Sequence, residues 1–461
     1  MDTLFLSRVQ FALTVGFHYL YPPLSIGLSL VIVIIEGIYL KTKDLRLKKM
    51  AQFWIKIFAL TFALGVATGL VQVFSFGNNW ARYSRFVGDV FGSALAAEGI
   101  FAFFLEAGFI GLMLFGWNRV GPKLHYLSTI CVAIGAHFSA IWIVAANSWM
   151  QTPAGFKIIG EGEKARAVIT HFWEVIFNPS FLSRLTHVII GCWLTGSFIV
   201  ISVCAYYLLK KRHLSFALHG MKLGLILSLI LVLLQLISAD NSARGVAFHQ
   251  PEKLAAMEGI YQTKPYTPMN LIGYVDPKTE KVYSLRIPGL LSFLIFHQPS
   301  KPVLGLDQFP KEDWPNVSVV FQSYHIMIYM WVAMFLAVLC GCFLWWRKAF
   351  EKSKWILSFL VLSVLFPYVA NQTGWMTAEI GRQPWIVYRL LRTAQGVSHS
   401  IHAEQVLGSI IMFIVIYLLL FSLFLFLLNR KIQLGPEGES EADLERDDVI
   451  YRDPYLQKRE S

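Results

Sequence analysis

At 461 residues, with 56% hydrophobic and only 15% charged side chains, the chain has more apolar surface than one soluble core can bury, and this points to an all-α polytopic membrane protein. The net charge of +11 does not indicate a nucleic-acid partner, because the 40 Lys and Arg residues are spread through short connections rather than gathered on one aromatic-rich face.

Runs long enough to cross a hydrocarbon layer of about 30 Å fall near 11–40, 57–76, 90–117, 124–150, 185–209, 223–239, 319–346, 355–376 and 405–428, which predicts nine helices. The first run is too long for a cleaved signal segment and is expected to remain in the protein. It carries His18. The third carries Glu98 and Glu106, the fifth His187 and the seventh Met327. The eighth ends in Ala378-Glu379-Ile380-Gly381-Arg382-Gln383-Pro384-Trp385, where a carboxylate and a guanidinium stand at the rim of an apolar segment. Charge in that position reads as a functional site, and Gly381 and Pro384 favour a tight turn that holds it. The five cysteines all lie within predicted spans and read as small hydrophobes, so no disulfide framework is expected.

Alternate connections are basic: Lys41 to Lys49, then Arg119 and Lys123, then Lys210 to Arg212, then Arg347 to Lys354. The positive-inside rule makes these cytoplasmic, which puts the N-terminus outside and the C-terminus inside. The chain then divides into six helices over 1–240, an outer connection over 241–318, three helices over 319–430 and a disordered acidic cytoplasmic tail over 431–461.

At 1.5 Å of rise per residue, His18, Glu98 and Met327 lie about 10–12 Å below the outer surface, with His187 near the outer end of its span and Glu379 just past its own. Five potential metal ligands thus share the outer third. His with Met suits a low-spin haem, and a lone His or carboxylate suits a haem left open to a small ligand. Glu106 lies eight residues beyond Glu98, roughly 80° around a regular helix and about 12 Å further inward, which suggests a proton path.

The segments FALTVGFHYLYPPLSIG, FALGVATGL, EGIFAFFLE, ANSWMQTP, KLAAMEGIY and GRQPW occur in order along the chain, and together they resemble subunit I of the cytochrome bd quinol oxidases. The resemblance implies that His187 and Met327 are axial ligands of a low-spin haem b. It places His18, Glu98 and Glu379 in the zone of a high-spin haem b and a haem d (or a further haem b), with the individual pairing open. Lys253 and Glu258 match the family's quinol-binding segment, where a carboxylate beside an ammonium would take protons from and orient a quinol. Glu98, Glu106, Glu379 and Arg382 are the implied catalytic set. The implied activity is that of a quinol:oxygen oxidoreductase of the bacterial cytoplasmic membrane, reducing dioxygen with protons from the cytoplasm and separating charge without pumping. A second large membrane subunit and a small single-helix subunit are the implied partners. The chain departs from one form of the family at Gln372-Thr373, where some members carry a carboxylate, and at His325, and its outer connection is of the short type. The rival reading is a secondary ion-coupled transporter without redox cofactors. Transporters usually show internal repeats and broken helices, and the sequence suggests neither.

Overall fold

The computed structural model describes residues 2–350 and 353–436; residues 437–461, which hold most of the expected acidic tail, lie outside them. Nine helical segments among the described residues are long and apolar enough to cross a membrane. The first comprises α1 (Thr3–His18) and α2 (Pro22–Thr42), and the second is α3 (Leu45–Asn78). The third contains α4 (Ala81–Ala97), a π-helical segment (Glu98–Phe103) and α5 (Phe104–Phe115), and the fourth is α6 (Pro122–Gln151). A hairpin of β1 (Phe156–Ile159) and β2 (Arg166–Ile169) and the short α7 (Phe172–Ile176) lead to the fifth span, α8 (Phe181–Lys210). The sixth, α9 (Leu214–His249), continues past the limit at 240 expected from sequence.

The connection that follows is ordered, with α10 (Pro251–Glu258), a hairpin of β3 (Met269–Asp276) and β4 (Lys281–Ile287), and α11 (Leu290–Phe296). The seventh span is α12 (Val317–Trp346) and the eighth is α13 (Lys354–Leu362) with α14 (Leu365–Ile380). Strands β5 (Trp385–Val387) and β6 (Leu391–Arg392) and the turn α15 (Thr393–Gly396) precede the ninth span, α16 (Ala403–Leu434).

Two spans expected to be continuous are broken, which corrects the sequence reading. Pro22 and Pro23 carry no amide hydrogen, so α1 stops at His18 and α2 starts afresh after a short turn. In the eighth span Pro367 cannot bond the Ser363 carbonyl, which instead accepts from Phe366 N at 3.1 Å. The third span is interrupted by its π segment, a local widening in which the helix takes up an extra residue.

Helix packing follows the membrane rule that small residues allow close approach. A Cβ on Gly27 of α2 would lie 2.1 Å from the Cys192 carbonyl oxygen, and one on Gly196 of α8 would lie 2.2 Å from the Gly27 carbonyl carbon, so these two helices cross with their backbones in contact. The main core forms around them from Trp54, Phe53, Phe58, Phe198 and Tyr207. The long connection has a core of its own, with Leu254, Ala255, Leu291 and Leu306 against Val320 and Phe321 at the start of α12.

Candidate functional site

His18, Glu98, Glu106, His187, Met327 and Glu379 line one cavity of about 1780 Å³, together with Lys253, Glu258 and Arg382. A pocket for one drug-sized ligand spans about 300–1,000 Å³, so this volume accommodates more than one large group. All residues predicted for the site therefore meet in one space. Their side-chain environments differ.

His18 occupies the last position of α1, at the break. Its Nδ1 lies 2.9 Å from Thr68 Oγ1, and that hydroxyl donates to Leu64 O at 2.8 Å. The hydroxyl hydrogen is thus committed, so the oxygen accepts from Nδ1–H and leaves Nε2 with a free lone pair. This is the tautomer a metal ligand needs, held by a neighbouring group. Thr68→Val is expected to lower retention of whatever His18 ligates by roughly 10–100-fold, as loss of such a supporting bond typically does, and Thr68→Ser should restore it. Pigment titration on the two variants checks this.

Glu98 opens the π segment and accepts from Ser139 Oγ at 2.7 Å. Glu106 is buried against α6 where Gly135 makes room, since a Cβ there would come within 2.5 Å of Glu106 Cγ. A regular helix sets the two carboxylates roughly 80° apart, but the extra residue in the π segment cancels about 100° and brings them close to one face. Both consequently line the cavity.

His187 sits on α8 with the Gln235 amide 3.2 Å from each ring nitrogen. Gln235 Oε1 is buried without a partner. Turning the Gln235 amide over would bring Oε1 to the ring, give its N–H an acceptor and free the other nitrogen. Met327 lies on α12 against α14, where a Cβ on Gly374 would approach its sulfur to 2.9 Å. Gln372, directly before Thr373-Gly374-Trp375, ties α14 to α1 through a 2.8 Å bond from Nε2 to Gly16 O.

At the end of α14, Glu379 pairs with Arg382 through Oε2 and accepts from Asn147 Nδ2 at 2.9 Å through Oε1. Arg184 Nη2 donates to Asn147 Oδ1 at 2.5 Å, so two guanidiniums and one carboxylate share this corner. Arg184 Nε and Arg382 Nη1 have no protein partner although both are buried. Both oxygens of Glu379 thus already meet protein donors, which hold the carboxylate in place at the cavity wall. Arg184 and Asn147 were not singled out from sequence. Asn147 stands within the quoted ANSWMQTP segment, and Arg184 is a lone charge at the start of the fifth apolar run, the signal that identified Glu379 and Arg382.

Lys253 and Glu258 were expected to work side by side, but the structure separates them. Lys253 Nζ donates to Gln151 Oε1 at 2.6 Å and Gln250 Oε1 at 2.7 Å, on the side of the Arg–Glu corner. Burial, with the nearby Arg184 and Arg382, pushes its ammonium well below the usual lysine range. Glu258, five residues on, faces the other way and accepts from the Tyr324 hydroxyl, while its Oε2 has no partner. Burial pushes its carboxyl up to about 7, against the opposing effect of the Tyr324 bond.

Among the described residues no three His, Cys, Asp or Glu side chains converge as a bare metal ion would require. The donors instead stand singly on separate helices. That arrangement fits iron already held in a macrocycle, which asks the protein for one or two axial ligands.

The profile of the family described as cytochrome bd terminal oxidase subunit I matches residues 6–436. The chain belongs to this family. It is 40% identical over 469 residues to the cytochrome bd ubiquinol oxidase subunit 1 of Bacillus subtilis (strain 168), covering 99% of this chain and 98% of that one. It is 33% identical over 504 residues to the cytochrome bd-II ubiquinol oxidase subunit 1 of Escherichia coli (strain K12), covering 95% and 98%. The solved bd oxidase of Geobacillus thermodenitrificans superposes with a TM-score of 0.87 at 29% identity, over 94% of this chain and 99% of that chain. The cytochrome bd family and the nine apolar helices together make this a multi-pass membrane protein.

Proposed function

We propose that the chain is the haem-bearing subunit of a terminal quinol oxidase that oxidises membrane quinol at its outer end and reduces dioxygen to water. The observation that carries this reading is the single cavity running from Glu258 to Glu106 and lined between them by His187, Met327, His18 and Glu98. The names of the Bacillus and Escherichia relatives, both ubiquinol oxidase subunits, support it. The Met thioether and the His18 tautomer favour it over an ion-coupled transporter, although broken helices also occur in transporters.

Bound haem supplies one-electron transfer and the iron at which oxygen is reduced. His187 and Met327 would hold a low-spin haem b, while His18, Glu98 and Glu379 would serve the high-spin haem b and haem d, or a further haem b. The unpartnered N–H groups of Arg184 and Arg382 suit the carboxylates that such macrocycles carry. Glu258 accepts a quinol hydroxyl proton through its free Oε2 and passes it outward. Tyr324 holds that carboxyl in place. Glu106 and then Glu98 relay protons arriving from the cytoplasm, and because both reactions draw on opposite sides, charge is separated without pumping.

The basic connections put the N-terminus outside and the C-terminus in the cytoplasm, so residues 241–318 form the quinol-binding part on the outer side of a bacterial cytoplasmic membrane. A second large membrane subunit completes the enzyme, with a small single-helix subunit beside it.

A reduced-minus-oxidised absorption spectrum of the purified complex tests the reading. Haem bands that bleach on exposure to oxygen in the presence of quinol are expected, and their absence removes the proposal. Glu106→Gln should slow turnover while leaving those bands intact; unchanged turnover excludes Glu106 from the proton route.

A further inference from the structure

The hairpin of β3 and β4 presents an apolar face that nothing in the chain covers. Ile272 pairs across the strands with Leu285, and Tyr274 with Tyr283, so alternation puts all four on one side. They are 62%, 64%, 57% and 49% exposed in that order, and the tyrosine rings stack at 5.1 Å. A hairpin standing in water would carry polar residues there.

The position of the hairpin explains the pattern. Three side chains of α12 hold the carbonyls of β3: Gln322 Nε2 donates to Gly273 O at 3.0 Å, Tyr329 Oη to Leu271 O at 2.8 Å, and His325 Nε2 meets Asn270 O at 2.8 Å. Residues 322, 325 and 329 form one stripe by helical spacing. The same stripe continues inward as Val332, Leu336, Leu339 and Phe343, all exposed apolar residues of a membrane-spanning helix. The hairpin therefore rides on the side of α12 that lower down faces lipid. From Val317 to Tyr329 the helix rises about 18 Å, and α12 as a whole about 45 Å against a hydrocarbon thickness of about 30 Å, so the contact reaches the outer boundary of the acyl layer. Strand carbonyls at that depth need internal donors, and α12 supplies them.

We propose that the Ile272, Tyr274, Tyr283 and Leu285 face is seated in the outer headgroup–acyl boundary of the bilayer. The paired tyrosines lie at headgroup level, where such amphipathic rings concentrate, and the aliphatic pair lies beside the acyl chains. The connection that carries Glu258 is thereby fixed to the lipid from which a quinol arrives. This last step rests on the oxidase reading; the lipid contact itself does not.

The test places a polarity-sensitive fluorophore on Ile272→Cys and on Leu285→Cys in the whole complex, with the unsubstituted complex, which keeps the five native cysteines, labelled in parallel as a blank. Glu312→Cys, at a side chain 76% exposed in the same connection, is the aqueous control. The complexes are reconstituted in phosphatidylcholine–phosphatidylglycerol vesicles with or without a doxyl group high on the phosphatidylcholine acyl chain. Labels at 272 and 285 are expected to emit to the blue of the control, lose most of their intensity to doxyl lipid and ignore iodide in the buffer, with the reverse at 312. Iodide quenching equal to that at 312 overturns the proposal. Protection from both quenchers also overturns it, because a protein partner then covers the face. Tyr274→Cys reads the same face if either first variant fails to assemble. Quenching does not depend on pigment or turnover, so failure of the oxidase reading would show separately as missing haem bands in the same samples.

Discussion

His187→Ala is expected to abolish the low-spin haem bands while the chain still inserts and purifies with its other pigment. The imidazole enters the cavity from α8, and among the described residues no group of three His, Cys, Asp or Glu side chains stands there to take its place. Truncation also leaves the Gln235 amide without the ring it faces at 3.2 Å. Met327→Leu should give the milder form of the same result, because a thioether is the weaker of the two donors and Leu conserves the volume beside Gly374. Difference spectra of the two variants decide it. Full low-spin bands in His187→Ala would move the ligand assignment elsewhere.

Glu258→Gln is expected to cut quinol oxidation by roughly 10²–10⁴, the range over which a positioned general base contributes. With its carboxyl pushed up to about 7, Glu258 is largely protonated below neutrality and gains its basic form as pH rises through that value. Quinol oxidation by the unsubstituted complex should accordingly fall on acidification with a midpoint near pH 7, and the residual rate of Glu258→Gln should lose that limb. Electron donors that bypass the loop should support normal oxygen consumption in the variant. Equal loss with both kinds of donor would make Glu258 a structural group. Tyr324→Phe offers a graded check: removing a hydrogen bond that favours the ionised carboxyl should move the midpoint to higher pH.

Span number, the order of the spans and the residues that line the cavity were legible in the sequence because each rests on a local signal: an apolar run, or an ionisable group within or at the rim of one. The breaks at Pro22 and Pro367 were equally visible as residue types, yet a hydropathy run continues through a proline, and the spans were read as unbroken. The π segment left no such mark. Its widening changes the relation of Glu98 to Glu106 from an offset of roughly 80° to near alignment, a quantity that counting residues at a regular pitch misses. Lys253 and Glu258 show the limit in another way. Five positions apart on α10, they were grouped by sequence proximity, but which neighbour each side chain meets depends on Gln151 at the end of α6 and Tyr324 on α12, more than sixty residues away in either case. The hairpins of the connections were not anticipated, since such short strands give little periodicity to read.

The contact between Gly27 and Gly196 leaves no space for even a methyl group, so α2 and α8 meet as one rigid strut. His18 precedes Gly27 by nine residues across the turn between α1 and α2, whereas His187 precedes Gly196 by nine along the unbroken α8, so the two imidazoles reach the same joint through unlike supports. Tilting to suit a thicker or thinner bilayer would turn α2 and α8 together rather than shear them at the glycine pair.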